Sequence, residues 1–245
     1  VEPLALVKRG MIVSNTGQGT EYVKTLTSSH RATMQAAMLI SPDGYGINQE
    51  AAADNRYIQS RQRVDLDRAQ RQHDNLAGAI RRLGIPVITF PGRVGEPDGV
   101  FGNNVFATTK DNFIVGRMYH PSRQVESARQ DIRNYFHDML KRPLLDLSQG
   151  NAVAELTGAL VIDRLRNFGI CGISTRAEVE SAQAMHKAFG LSLTLNTPLK
   201  VTEYHINVVL AILAGKASII APSAFETEDV QELLSIVYGK NVIEL

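Results

Sequence analysis

Short apolar runs alternate with polar turns along this chain, and the second half repeats them in one order: two apolar runs, an amphipathic stretch, then a third run. Ala159–Ile162 and Gly169–Ile173 predict two strands, followed by a helix from about Arg176 to Phe189 and a closing strand at Leu191–Leu195. The next unit predicts strands at Asn207–Leu213 and Ala217–Ala221, a helix from about Ala224 to Tyr238, and a strand at Asn241–Leu245. Thr175-x-x-Glu178 and Ser223-x-x-Glu226 read as capping boxes, in which side chains satisfy the orphan N–H groups of a first helical turn. Ala214-Gly215-Lys216 reads as a compact hairpin connection.

The first half follows the order more loosely. Val105–Thr109 and Phe113–Gly116 predict a hairpin about Lys110-Asp111-Asn112, with a helix from about Pro121 to Leu140 and a strand at Leu144–Leu147. Before that come a strand at Ala37–Ile40, an irregular polar segment from Pro42 to Asn55, a helix ending at Leu83, and a strand at Pro86–Phe90. Residues 1–33 hold one apolar run, Met11–Val13, and stay unassigned. The expectation is an α/β protein of four ββαβ-like units, about 34–91, 98–148, 155–196 and 203–245, in a propeller-like array. Strict parallel βαβ winding would not place hairpins at these positions. A radial array would bring the leading ends of its inner strands to one central pocket.

Composition narrows the function classes. The 245 residues are 44% hydrophobic and 21% charged, the make-up of a folded soluble protein, and nothing in them resembles a linker, so one domain over 1–245 is expected. A net charge of +1 gives no general attraction to nucleic acid or to an anionic membrane. The Arg-rich stretch from Arg61 to Arg82 is interleaved with Asp65, Asp67 and Asp74 and reads as a solvated helix face. The single cysteine, Cys171, excludes an internal disulfide framework and suits a reducing compartment. The longest apolar run, Ile206 to Gly215, is too short to span a bilayer, and the N-terminus lacks a signal-peptide pattern. A cytoplasmic protein is expected; the initial Val1 suggests processing, trimming or renumbering.

Candidate chemistry lies at three strand starts. Pro97-Asp98-Gly99-Val100-Phe101-Gly102-Asn103-Asn104, Glu155-Leu156-Thr157-Gly158 and Glu203-Tyr204-His205-Ile206-Asn207-Val208 each deliver a carboxylate, an amide or an imidazole ahead of an apolar strand. Together with Gly44-Tyr45-Gly46-Ile47-Asn48-Gln49-Glu50, Asn55 and Gly172-Ile173-Ser174-Thr175-Arg176, these motifs resemble the amidinotransferase and arginine-deiminase superfamily, the guanidine-modifying enzymes with the pentein fold. The resemblance is strongest to the bacterial amidinotransferase-like branch, itself similar to succinylarginine dihydrolases, and covers roughly residues 34–245. It implies a five-unit α/β propeller and attack on a small-molecule guanidino substrate through a covalent amidino-cysteine, with no metal and no organic cofactor. Oligomeric state and the acceptor, water or an amine, stay open.

The resemblance carries over residue by residue. His205 matches the acid/base, although a lone strand histidine is more often packed. Glu155 matches the guanidinium-binding carboxylate; a solvated strand-edge Glu is the bland reading. Arg176 matches an arginine that grips the substrate's carboxylate with its planar fork, against the simpler reading of an exposed helix-start Arg. Asn104 and Asn207 are amides where arginine deiminases carry acids, which favours a modified arginine or another guanidino substrate. Asp98 is either a second acid or a turn cap after Pro97, and Asn48 either a substrate contact or a loop-stabilising Asx residue. The superfamily's nucleophilic cysteine lies in a fifth unit, and Cys171 sits instead in an apolar strand run where a small buried hydrophobe is expected. The nucleophile is therefore expected C-terminal to Leu245; the alternative is a non-catalytic binding protein on the same scaffold.

Overall fold

The computed structural model describes residues 10–58 and 64–245. Among them four sheets form, and three share one plan. In the first, β4 (Phe106–Thr108) pairs antiparallel with β5 (Phe113–Val115), which pairs parallel with β6 (Leu144–Asp146). In the second, β7 (Leu160–Asp163), β8 (Phe168–Ile173) and β9 (Leu193–Pro198) do the same, with Leu160 opposite Cys171 and Cys171 opposite Asn196. In the third, β10 (Leu210–Leu213), β11 (Ala217–Ile220) and β12 (Val242–Glu244) repeat it. The fourth sheet holds two parallel strands, β2 (Ala37–Ile40) and β3 (Val87–Phe90). Each hairpin is closed locally, while each parallel pair needs the helical crossover that the sequence supplies between them.

Residues left unassigned in the sequence extend the second sheet. β1 (Met11–Val13) pairs parallel with β9, giving the order β1-β9-β8-β7. The helix Thr16–Thr25 follows, and the Thr16 amide donates to Asp229 Oδ1 at 2.9 Å while its hydroxyl donates to Glu232 Oε2 at 2.6 Å.

The helices form where apolar residues recur at helical spacing. Asp229–Tyr238 buries Val230, Leu233, Leu234 and Tyr238, one stripe at i, i+3, i+4 and i+8. Each such aliphatic side chain contributes about 1.5–3 kcal/mol by leaving water. Val179–Phe189 buries Ala182, Met185, Ala188 and Phe189 and stops at Gly190, whose φ of 63° suits a residue without a Cβ. Leu66–Arg82 buries only Ala77 and is capped by Asp65, which accepts from the Arg68 amide at 2.9 Å. That helix is the solvated face expected from its mixed charges; the Arg61–Arg63 part of the stretch lies outside the described residues.

Three expectations are corrected. The helix expected from Pro121 to Leu140 is a series of short pieces, Pro121–Gln124, Val125–Ala128, Gln130–Arg133 and Asn134–Met139. The break falls at Arg129, whose ψ of 97° leaves the helical region. Its guanidinium turns inward to Glu96 at 3.2 Å and the Pro91 carbonyl at 2.9 Å. Neither expected capping box forms. Glu178, not Thr175, is the N-cap of its helix, and its amide donates to the Ser181 hydroxyl at 2.7 Å. Ser223 lies in a separate turn, because the Lys200 amide binds the Ala224 carbonyl at 2.9 Å and the Glu226 amide binds the Pro198 carbonyl at 3.2 Å. These bonds flank Phe225, which is extended, so the chain leaves the turn Pro222–Ala224 and the helix starts only at Asp229.

Candidate active site

Each first strand of the three complete units is entered through a single helical turn: Gly102–Asn104 before β4, Leu156–Ala159 before β7, and Ile206–Val208 before β10. The polar motifs sit on these turns. Asn104 ends the first, while Glu155 and His205 are the N-cap residues of the other two. The three turns meet at Gly158, where a Cβ would stand 2.7 Å from the His205 ring and 2.8 Å from Asn104 Oδ1. Only a glycine permits that approach.

A cavity of about 560 Å³ opens over this meeting point, and all seven residues singled out in the sequence line it: Asn48, Asp98, Asn104, Glu155, Arg176, His205 and Asn207. Glu155 forms its floor, fully buried. Its Oε1 accepts from the Tyr119 amide at 2.9 Å and from Arg176 Nη1 at 3.3 Å, and its Oε2 pairs with His205 Nε2 at 2.7 Å. Burial opposes ionisation, but the His205 hydrogen bond and charge, Arg176 and the Tyr119 amide outweigh it and draw the carboxyl down to about 2. Glu155 is therefore anionic throughout the neutral range. The next residue, Leu156, has a φ of 27°, a conformation costly for a side chain with a Cβ, so the backbone is strained where Glu155 is aimed.

His205 is 3% exposed. Burial pushes its imidazole below the ordinary 6.5; Glu155 pulls it back up, and the Arg176 and Arg123 charges push it down again. The net direction is down, because burial and two guanidinium groups act together. The resting ring is neutral at neutral pH, able to take up a proton in a reaction. The Tyr204 ring packs against it with centroids 4.4 Å apart.

Arg176 is no exposed helix-start residue. It lies between the Tyr119 and Tyr204 rings, 4.9 and 5.6 Å from their centroids, and is 3% exposed. Asn48 is the loop-stabilising Asx residue: its Oδ1 caps the turn Gln49–Ala52 by accepting from the Glu50 amide at 3.0 Å, while its Nδ2, on the cavity side, donates to Asp98 Oδ2 at 2.8 Å. Asp98 is buried on the cavity wall, 3.9 Å from Arg123 Nε. Asn207 is exposed at the rim, and so is Asn103, whose amide reaches Thr157 Oγ1 at 3.4 Å.

Sequence reasoning passed over four residues here. Arg123 is buried and paired with Glu126 at 2.9 Å, yet an Arg and a Glu three apart read as a surface pair. Asp54 binds Arg176 Nη2 through both oxygens, at 2.8 and 2.7 Å, and His120 Nε2 at 3.1 Å. Tyr119 contributes a backbone amide, which no side-chain pattern announces. Tyr57 lines the cavity, and its hydroxyl donates to Glu203 Oε2 at 2.8 Å beside an Arg56–Glu203 ion pair. The position of Asp54 next to the motif residue Asn55 was the one available signal. Cys171 is fully buried in β8, away from the cavity lining, and burial raises its thiol to about 12.

An α/β scaffold of ββαβ units with an ionised carboxylate and an imidazole at their converging entrances belongs to the pentein class of guanidine-modifying enzymes. More specifically, the chain belongs to the family described as N,N-dimethylarginine dimethylhydrolase, eukaryotic, which matches residues 41–245. The fold is similar to that of the N-terminal domain of ArgZ, an arginine dihydrolase of the ornithine-ammonia cycle in Cyanobacteria, solved as a cysteine-to-serine variant bound to substrate. The likeness has a TM-score of 0.71 at 20% identity and covers 85% of this chain and 74% of that one. A dimethylarginine dimethylaminohydrolase adduct with S-methyl-L-thiocitrulline gives a TM-score of 0.64 at 19% identity, over 87% of this chain and 77% of that one. The uncharacterized protein YkgA of Bacillus subtilis is 23% identical over 211 residues, which is 84% of this chain and 68% of that protein. Among the described residues no helix is long and apolar enough to cross a membrane.

Proposed function

We propose that this chain forms most of the active site of an enzyme that hydrolyses the guanidino group of arginine or a modified arginine. The observation that carries the reading is Glu155, an ionised carboxylate on the cavity floor with His205 held 2.7 Å away. A guanidinium carbon is a poor electrophile because its charge is spread over three nitrogens. A buried carboxylate that grips the N–H groups localises that charge and orients the carbon for attack. His205, neutral at rest, then manages the proton of the attacking thiol and of the departing amine. Asn104, Asn48, Asp98 and Asn207 bind the remainder of the substrate, and Arg176 takes its carboxylate.

The nucleophile in this reading is a cysteine on a fifth propeller unit outside the 245 residues, and the intermediate is an amidino-thioether. Two structures of one similar protein, ArgZ, support covalent chemistry: a cysteine variant holds substrate, and another variant is covalently bonded to a reaction intermediate. The amides at Asn103, Asn104 and Asn207 cannot neutralise a guanidinium, so substituted arginines, including N-acylated ones, join arginine as candidates. Water is taken as the acceptor because the similar proteins ArgZ and dimethylarginine dimethylaminohydrolase are hydrolases. A second reading, a guanidine-binding protein without turnover, draws on Cys171, which sits buried in β8.

The test is to incubate the natural full-length protein with arginine, Nω-methylated arginine and N-acylated arginine and to measure citrulline, ornithine and ammonia. Turnover is expected with at least one, and His205→Ala should lower it by about 10²–10⁴-fold. Binding without any product would favour the second reading. Unaltered turnover in the His205 variant would remove the acid/base role.

A further inference from the structure

The Arg176 guanidinium is only half used. Its Nη2 donates to both oxygens of Asp54 at 2.8 and 2.7 Å and its Nη1 to Glu155 at 3.3 Å, while its Nε is buried with no hydrogen-bond partner among the described residues. Nε and Nη2 form the edge of the guanidinium that a carboxylate binds with two parallel bonds. Asp54 crowds both its oxygens onto one nitrogen of that edge and leaves the other unpaired. A better-placed carboxylate would satisfy both nitrogens, and a buried unpaired donor favours the exchange. Asp54 can leave at low cost, because its side chain is 35% exposed where that of Arg176 is 3% exposed. His120 Nε2, 3.1 Å from Asp54 Oδ1 and 2.9 Å from Arg176 Nη2, stands ready to keep either partner company.

We propose that Asp54 is a built-in competitor: it occupies the Arg176 site in the free protein and is displaced by the carboxylate of the ligand, so it sets the selectivity between guanidino compounds with and without that group. The inference rests on the reading of Arg176 as the carboxylate anchor. A guanidino ligand without a carboxylate leaves the Asp54–Arg176 pair intact and gains nothing from its loss. Asp54 is thus a specificity-determining residue rather than a catalytic one, and it acts on ground-state affinity.

Calorimetric titration of the purified protein with L-arginine and with agmatine, which lacks the carboxylate, tests this. Asp54→Asn should tighten arginine about fivefold, the size of a partly exposed ion pair, and leave agmatine within about twofold. Asp54→Glu should restore the wild-type ratio of the two affinities, and thermal melting should confirm that both variants are folded. Weaker or unaltered arginine binding in Asp54→Asn overturns the proposal, as does an equal shift for both ligands. A wild-type protein that binds neither compound sinks the guanidine pocket itself, a result distinct from any failure of Asp54 alone.

Discussion

Glu155 and His205 tune each other across 2.7 Å, and the direction of that tuning can be measured. Burial, Arg176 and Arg123 depress the imidazole, and the Glu155 charge is the one influence that raises it. Neutralising the carboxylate in Glu155→Gln should therefore lower the His205 midpoint further below 6.5. An NMR titration of the His205 ring in the two proteins reads this directly, and an unmoved or raised midpoint would contradict the electrostatic account. Legibility at this scale followed the kind of contact. His205, Glu155 and Asn104 stood in short motifs ahead of apolar runs, so their side-chain chemistry was visible in the sequence. Tyr119 enters through its main chain, and Arg123 is disguised by the i,i+3 Glu126 that pairs with it inside rather than on the surface. Asp54 reaches Arg176 across 122 positions of chain, a juxtaposition that only the fold creates.

At the scale of elements, the site depends on one helical turn lying against two others. Leu156–Ala159 brings Glu155 to the floor only because Gly158 lets the His205 ring and the Asn104 amide close over it. Gly158→Ala inserts a methyl at 2.7–2.8 Å from both, well inside van der Waals contact, so a turn must move. We expect a destabilisation of about 1–3 kcal/mol in chemical denaturation. Guanidino-ligand affinity should fall with it, since the displaced groups line the cavity. Wild-type stability together with wild-type affinity would mean that the three turns are not packed as described. The strands from β2 onward and the hairpin at Ala214-Gly215 were legible because apolar runs and turn residues are local signals, whereas β1 was left unassigned. Helix boundaries were not, for reasons that are tertiary. A buried Arg129 breaks 121–140, and bonds to 198–200 delay the last helix to Asp229. The helix Thr16–Thr25 carries Gly17 and Gly19, poor helix formers, and finds part of its support in Asp229 and Glu232 at the far end of the chain.

For the whole molecule, the charges buried at the site tie stability to pH. Glu155 has a folded value of about 2 against an ordinary 4.5, so its contribution is complete above 4.5 and is lost as pH falls toward 2. His205 is depressed below 6.5, and its contribution is likewise present above that value and lost on acidification through its lower folded midpoint. Asp131 and Asp146 are also lowered, each by an arginine that overcomes partial burial, and act in the same sense. Glu126 opposes them: burial raises it above 4.5 despite Arg123, so the folded state binds its proton more readily than the unfolded chain does. With these four groups and Asp229, where bonds from Thr227 and Thr16 outweigh burial and also lower it, set against Glu126, the unfolding temperature should fall steadily from pH 7 to pH 3. In Glu155→Gln the part of that slope between about pH 4.5 and pH 2 should flatten, because the group that titrates there is gone. Differential scanning calorimetry of both proteins across the range supplies the comparison. Parallel curves would place the acid sensitivity outside the site, and Glu155 would then lack the ionised, multiply bonded state on which the guanidinium pocket depends.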